Sequence, residues 1–278
     1  MTKKRLYISA DIEGVAGVVT REQLLPEGFE YQQAREWMTA EVAIACEAAF
    51  ACGINEVVVS DSHGNGQNLL LDKLPENVQV VRAWPRPLCM MEGIECGEYV
   101  GALLLGYHSG ATQMDGVLAH TLSSRGISEV RLNDQVASET VISAATASHF
   151  GVPVLMASGD HAYVEHAKAV LGDIETVTTK WVCSFTSVRT LLPKEAQQRV
   201  AEGVRNALVH LEDFQANPLP GPIQLEIQCI KRNAAELLAY LPMVERLDAC
   251  SIRFVAQDMV IISKFLSFVL FSGVLTAE

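Results

Sequence analysis

The sequence has few basic residues, and this shortage limits the partners that the protein can bind. Of its 278 residues, 21 are Lys or Arg and 33 are Asp or Glu, which gives a formal net charge of -12 at pH 7. Nucleic-acid binders and proteins of anionic membranes carry basic surfaces, so we expect neither partner. Charged residues make up 19% of the chain and hydrophobic residues 49%, which excludes a disordered chain and indicates large buried surfaces.

The sequence also lacks a membrane-spanning run and a pattern of paired cysteines. Its most apolar segment, residues 260–275, is shorter than the ~20 residues that a span needs and contains Lys264, so we predict a buried helix. Acidic Asp11 follows the basic N-terminal residues too closely for a signal peptide. The seven cysteines contain no Cys-x-x-Cys pair and are expected to be reduced thiols of a cytoplasmic protein.

Several common catalytic motifs are missing too. There is no Gly-x-Ser-x-Gly nucleophile elbow. Gly64 and Gly66 are followed by neither a dinucleotide-binding fingerprint nor a phosphate-binding P-loop. The chemistry must therefore come from a different set of side chains.

Apolar runs alternate with helical segments in the first two-thirds of the chain. Four runs lack polar–apolar alternation, which is typical of strands buried on both faces: residues 6–10, 57–59, 103–105 and 152–157. Helical patterns lie between them, at residues 31–51 and 139–150. Asn133-Asp134 between two short β-prone segments predicts a hairpin turn. This order predicts an α/β fold with a mostly parallel sheet covered by helices on both faces.

The pattern changes after Gly172. A strand near residues 177–182 and a long amphipathic helix lead to the proline-rich segment 217–222, a stiff connector. A strand, a helix, a strand and the apolar final helix follow. We predict an α/β domain over residues 1–175 and a smaller α+β domain over residues 176–278 that contributes to oligomerisation.

Acidic and histidine side chains follow three of the predicted buried strands. Asp11 and Glu13 come directly after the first strand and would point to the same side of an extended chain. His63 follows the second strand, and His108 follows the third. Ligands of open parallel sheets bind at the carboxyl ends of the strands, so these side chains are expected to converge there.

Two further residues are ambiguous from the residue pattern. Glu139 begins a predicted helix, where a carboxylate stabilises the helix dipole without any other role. His120 lies in a loop or short strand and is a structural or a catalytic residue. With the four strand-end residues, Glu139 would form a set of oxygen and nitrogen ligands that suits zinc, manganese or cobalt, and a bridging carboxylate would hold two ions. His149, His161, His166 and His210 are expected to be structural.

The segment Ser9-Ala10-Asp11-Ile12-Glu13-Gly14 resembles the Ser-x-Asp-x-Glu-Gly signature of the zinc-dependent D-aminopeptidases of the bacterial dipeptide-transport operon type. Further segments follow in the order of that family along nearly the whole chain: Asp61-Ser62-His63, Gly106-Tyr107-His108, His120-Thr121, Asn133 through Glu139, 152–156 and 254–259. The resemblance implies an aminopeptidase with about two zinc ions per chain that acts on short peptides with an N-terminal D-amino acid, D-Ala-D-Ala being the type substrate. It also implies a homo-oligomer, a decamer in the family.

The resemblance assigns roles to individual residues. Asp11 matches the bridging ligand, with Glu13 and His108 on one ion and His63 and Glu139 on the other. His120 matches the residue described in the family as the nucleophile. A water molecule activated by the metal is the more economical nucleophile, with His120 as general acid or base.

One departure from the family concerns the substrate. Ser109-Gly110-Ala111 stands where the family often has a basic residue after the Gly-Tyr-His segment, which leaves the dipeptide preference open. Two alternatives therefore remain: a two-metal amidase or other hydrolase of a different small substrate, and a non-catalytic protein that binds small molecules.

Overall fold

Two separate β-sheets organise the chain. The computed structural model describes residues 3–277. The strands are β1 (Arg5–Ala10), β2 (Glu56–Asp61), β3 (Val78–Val81), β4 (Ala102–Tyr107), β5 (Ile127–Leu132), β6 (Gln135–Val136), β7 (Val154–Asp160), β8 (Glu175–Ser184), β9 (Ser187–Thr190), β10 (Ile223–Cys229), β11 (Val244–Arg246) and β12 (Ser251–Ala256). The helices are α1 (Tyr31–Ala51), α2 (Glu139–His149), α3 (His161–Leu171), α4 (Pro193–Val209), α5 (Arg232–Leu238) and α6 (Met259–Phe271).

The first sheet has seven strands in the order β3-β2-β1-β4-β7-β8-β9. Its strand pairs are parallel, except that β9 pairs antiparallel with β8 at the edge. One apolar core lies between this sheet and helices α1 and α4, and a second core on its other face includes residues of α2 and α3. The predicted mostly parallel sheet with helices on both faces is confirmed.

The second sheet is antiparallel, with the order β11-β12-β10-β5-β6. Its strands alternate buried and more exposed residues, as expected for a sheet with a single covered face. Helices α5 and α6 pack on that face around a core of their own. The predicted Asn133-Asp134 turn joins β5 to β6, and positive φ angles of 47° and 65° make it the primed turn that suits a two-residue hairpin.

The division between the two sheets does not coincide with the boundary predicted near residue 175. Strand β8 pairs with β7, so residues 175–209 belong with the first sheet. Strands β5 and β6 precede that boundary but lie in the second sheet, where β5 pairs with β10. The reason is hydrogen bonding: the backbone groups of β8 and β5 find their partners on β7 and β10, irrespective of order along the chain. The chain passes into β10 through the proline-rich segment 217–222.

Helix α6 begins one residue before the predicted position and ends at Phe271. Asp258 caps it by accepting a hydrogen bond from the backbone N–H of Ile261 at 2.9 Å. Several of its apolar side chains are buried, whereas Ile261, Phe268 and Phe271 remain partly exposed. In the described part of the chain, no helix combines the length and apolarity needed to cross a bilayer.

Glu41 is a carboxyl group buried under the first sheet, on α1. One oxygen accepts a hydrogen bond from the backbone N–H of Ala16 at 3.2 Å, and the other has no partner among residues 3–277. Burial raises the pKa of Glu41 from 4.5 to about 7. Between these two pH values the unfolded chain loses this proton first, so the contribution of Glu41 to stability falls as pH rises.

We therefore compare the free energies of unfolding of metal-free Glu41→Gln and metal-free wild type. As pH rises from 4.5 to 7, their difference should shift by about 3 kcal/mol in favour of the variant. Urea unfolding at both ends of this interval measures the difference. Glu47→Gln, at an exposed position of the same helix, should show no such pH dependence. A difference between Glu41→Gln and wild type that is the same at pH 4.5 and pH 7 would contradict the assignment.

Candidate metal centre

The carboxyl ends of three neighbouring strands bring the predicted site residues together. Ala10 of β1 pairs with Asp61 of β2 and with Leu105 of β4, so the chain leaves all three strands at one edge of the sheet. Asp11, Glu13, His63, His108 and Glu139 are all buried there, each at most 8% exposed. The predicted convergence at the sheet edge is therefore present in the structure.

One group of ligand atoms is formed by Asp11, Glu13 and His63. The Nδ1 atom of His63 lies 3.3 Å from Oδ1 of Asp11 and 3.0 Å from Oε2 of Glu13. Its Nε2 atom lies 2.9 Å from the carbonyl oxygen of Leu24, which can only accept, so Nε2 carries a proton. In a neutral ring, Nδ1 then turns its lone pair toward two carboxylates. A cation between them would remove this repulsion.

A second group is formed by Asp11, His108 and Glu139. The Nε2 atom of His108 lies 3.6 Å from Oδ2 of Asp11 and 3.3 Å from Oε2 of Glu139. The ring donates from Nδ1 to the carbonyl oxygen of Ser109 at 2.9 Å. Its Nε2 is buried and has no hydrogen-bond partner in the described residues. Histidines that bind a metal usually donate from the second ring nitrogen to a carbonyl or carboxylate oxygen. The Nδ1 hydrogen bond of His108 therefore leaves Nε2 oriented as a metal ligand.

His120 stands beside the second group. Its ring stacks on that of His108, with centroids 4.1 Å apart, and its Nε2 lies 3.8 Å from Oε1 of Glu139. Nδ1 donates to the carbonyl oxygen of Leu118 at 2.9 Å, which leaves the lone pair on Nε2. The side chain is 20% exposed, which is more than that of any of the five buried residues. It can exchange protons with a bound molecule.

The cluster has an excess of negative charge, which a bound cation would neutralise. Burial and the adjacent Glu13 raise the pKa of Asp11 to about 8. Burial opposes protonation of His63 and His108, but Glu13 raises the pKa of His63 well above its usual value, and Glu139 raises that of His108 to about 10. Burial and the nearby His108 lower the pKa of His120. Without a metal ion, the three buried carboxylates therefore favour protonation of Asp11, His63 and His108.

The atoms can be grouped into three sets that fit a metal ion, in each of which the ligand atoms lie within 4.8 Å of one another. Asp11 belongs to two of these sets, with Glu13 and His63 in one and with His108 and Glu139 in the other. The pairing implied by the resemblance put Glu13 with His108 and His63 with Glu139. The third set consists of Glu13, His108 and His120, and it contains the Glu13–His108 pair that the resemblance implied.

Two buried residues, Asp61 and Asn68, hold the loop that carries His63. Asp61 accepts hydrogen bonds from the backbone N–H groups of Asn68 and Leu69, at 2.6 and 2.8 Å. The Asn68 amide donates both to Asp61 and to the carbonyl oxygen of His63, each at 2.7 Å. Asp61 was part of a motif in the sequence, but nothing in the spacing linked it to Asn68, because the loop between them folds back.

A buried lysine supports the segment that carries Glu13. The Nζ atom of Lys180, on β8, donates to the carbonyl oxygens of Glu13, Val15 and Val18. Burial lowers the pKa of Lys180 to about 8. The lysine fixes the backbone of this segment, whereas the side-chain carboxylate of Glu13 faces His63. Its role could not be read from the sequence, since β8 is remote from Glu13 along the chain.

The remaining histidines lie apart from the cluster, as predicted. His166 shares a hydrogen bond with the hydroxyl of Ser138 at 2.9 Å, and His161 accepts one from the backbone N–H of Val182 at 3.3 Å. His210 lies on the surface, 3.7 Å from the carboxylate of Asp213. His149 packs edge-on against the ring of Phe150.

Comparisons with known proteins bear on this site. A family model described as D-aminopeptidase matches residues 4–268. The chain is 29% identical over 256 residues to a D-aminopeptidase of Bacillus subtilis (strain 168), covering 92% of each chain. Its fold is similar to the solved structure of the Zn-dependent D-aminopeptidase DppA from Bacillus subtilis, described as a self-compartmentalizing protease. That match has a TM-score of 0.91 and 27% identity, and it covers 99% of this chain and 98% of the other.

Proposed function

The chain belongs to the D-aminopeptidase family, as its motifs predicted, and we propose that it uses two zinc ions to remove an N-terminal D-amino acid from short peptides of the D-Ala-D-Ala type. Membership of this family makes it a metal-dependent aminopeptidase. The observation that carries the two-ion proposal is the position of Asp11, whose two carboxylate oxygens each face a different buried histidine. The preference for D-residues is supported by the activity for which the relatives are named.

The buried residues fit the metal that we propose. Asp11, Glu13, His63, His108 and Glu139 would hold the ions, and Asp11 belongs to a set with Glu13 and His63 and to a set with His108 and Glu139. Oxygen and nitrogen ligands without cysteine suit zinc and are also accepted by manganese and cobalt. When bound, zinc supplies Lewis-acid chemistry toward the scissile carbonyl and the attacking water.

The protein itself contributes proton transfer and charge. His120, neutral at pH 7 because burial and His108 lower its pKa, can accept the proton of the attacking water at Nε2. The same nitrogen can return that proton to the leaving amine, which would otherwise depart as a strong base. The backbone hydrogen bond from Nδ1 to Leu118 keeps the ring in the tautomer that this requires.

We also propose that the protein works as a homo-oligomer in the cytoplasm. Partly exposed apolar side chains on α6, namely Ile261, Phe268 and Phe271, support an interface between subunits. The structural relative is described as self-compartmentalizing, which supports an assembly such as the decamer. All seven cysteines are free thiols, as suits a reducing compartment. Light scattering should give a mass several times 30.3 kDa, and a monomer at working concentration would reject the assembly.

Metal removal tests the proposed function. Dialysis against a chelator should abolish hydrolysis of D-Ala-D-Ala, and zinc should restore it at about two ions per chain. The substrates tested should also include L-Ala-L-Ala, a muropeptide, a simple amide and a chromogenic phosphoester. An amidase would prefer the simple amide, and a phosphoesterase would prefer the phosphoester. Full activity of a rigorously metal-free sample would overturn the proposal.

A further inference from the structure

Two arginines line a cavity that opens beside the metal centre. The cavity has a volume of about 700 Å³ and is bordered on one side by Glu13, His63 and His120. Arg21, from the segment that follows β1, and Arg125, from the segment that follows His120, both line it. Neither guanidinium has an ion-pair partner within 4.0 Å among the residues that the structure describes. Two arginines without an ion-pair partner thus line the cavity that Glu13, His63 and His120 border.

Some arginines of this acidic chain are occupied by carboxylates, as in the pairs of Arg5 with Glu56 and of Arg253 with Glu226. Glu27 lines the same cavity, yet it forms no ion pair with either arginine in the described residues. The two guanidinium groups are therefore available for an anion from outside, and a guanidinium fork matches a carboxylate with two parallel hydrogen bonds.

We propose that Arg21 and Arg125 bind the C-terminal carboxylate of a short peptide whose scissile amide lies at the metal centre. This assignment rests on the proposed peptidase function. The two guanidinium groups would hold this carboxylate on the side of the leaving group, in the cavity that Glu13, His63 and His120 border. They favour short peptides, whose carboxylate lies near the scissile bond.

A second cavity gives the peptide its direction. It has a volume of about 270 Å³, is lined by Asp11, Glu13 and Glu139, and is bordered by the apolar side chains of Trp84, Leu270 and Phe271. This apolar wall beside the metal centre suits the side chain of the N-terminal residue of the substrate. The larger cavity, with the arginines and with Leu118 and Phe185, then receives the leaving residue.

The test compares D-Ala-D-Ala with its C-terminal amide. In the Arg21→Gln/Arg125→Gln double variant, kcat/KM for the free acid should fall about 10- to 100-fold, mainly through a higher KM. The value for the amide should stay within about twofold of wild type, so the preference for the acid disappears. The Arg21→Lys/Arg125→Lys variant should retain part of the preference, because a positive charge remains without the guanidinium fork.

Controls separate this role from a structural one and from failure of the proposed function. Arg205→Gln, at an exposed position of α4, should leave both substrates unaffected. Retention of the acid preference by the double variant, or an equal loss for acid and amide with zinc content intact, would overturn the assignment. Calorimetric binding of both ligands is measured in parallel. If the wild type hydrolyses neither D-Ala-D-Ala nor its amide, the peptidase proposal fails. If binding of the free acid does not depend on the two arginines, the proposed carboxylate site fails.

Discussion

Asp11→Asn is expected to remove both metal ions and to lower peptide hydrolysis by at least about 10³-fold. Asp11 belongs to both groups of ligand atoms, so a neutral amide at this position weakens two sites at once. The fold should be preserved, because Oδ1 of Asp11 accepts a hydrogen bond from the backbone N–H of Ile12 at 2.8 Å and an asparagine oxygen can do the same. Metal content by elemental analysis and kcat/KM measure the two effects.

The metal-free variant provides an internal check on the cause of this loss. Burial and Glu13 raise the pKa of Asp11 to about 8, so an ionised Asp11 is unfavourable in the metal-free wild type. Asp11→Asn should therefore unfold at no lower temperature than the metal-free wild type. Asp115→Asn, at an exposed loop position, serves as a control that keeps metal and activity. An Asp11→Asn protein that retains two ions per chain would show that another group bridges them.

His120→Gln is expected to lower kcat about 10²- to 10⁴-fold while zinc content stays at the wild-type level. Glutamine can still form a hydrogen bond near Glu139, but it cannot accept and return a proton at neutral pH. The loss should appear in kcat rather than in KM, because His120 is proposed to act on the reacting groups. Zinc analysis together with steady-state kinetics on D-Ala-D-Ala measures both quantities.

The same variant separates proton transfer from metal binding. His120 also belongs to a group of potential ligand atoms with Glu13 and His108, so a role as ligand predicts loss of zinc in His120→Gln. His210→Gln, which changes a surface histidine, is the matched control and should behave as wild type. If His120→Gln lost an ion in parallel with activity, His120 would be a ligand and the proton-transfer role would be rejected.

The sequence predicted the main sheet because its central strands are apolar on both faces. Runs such as Val57-Val58-Val59 have few alternatives to a strand buried between helix layers. Helix α1 begins and ends at the predicted residues, where Tyr31 starts the apolar pattern and Gly53 follows the end with a φ of 88°. These features are local, so the residues themselves encode them.

The sequence by itself also determined that Asp11, Glu13, His63 and His108 would meet, since parallel strands expose their carboxyl ends at one edge. Whether Glu139 joined them was open, because a first-turn glutamate needs no further role. Tertiary structure decided it: one oxygen of Glu139 accepts from the backbone N–H of Leu122 at 2.7 Å, and the other faces His108.

Only the tertiary structure decided three further features of the protein. Strand β8 joined the first sheet and β5 joined the second, against the order of the chain. The ring orientations of His63 and His108 followed from carbonyl oxygens of Leu24 and Ser109. Arg21 and Arg125 came to line one cavity although about a hundred residues separate them. In each case the deciding contact joins residues remote in sequence or depends on how a loop folds, whereas periodicity and strand ends report only on local structure.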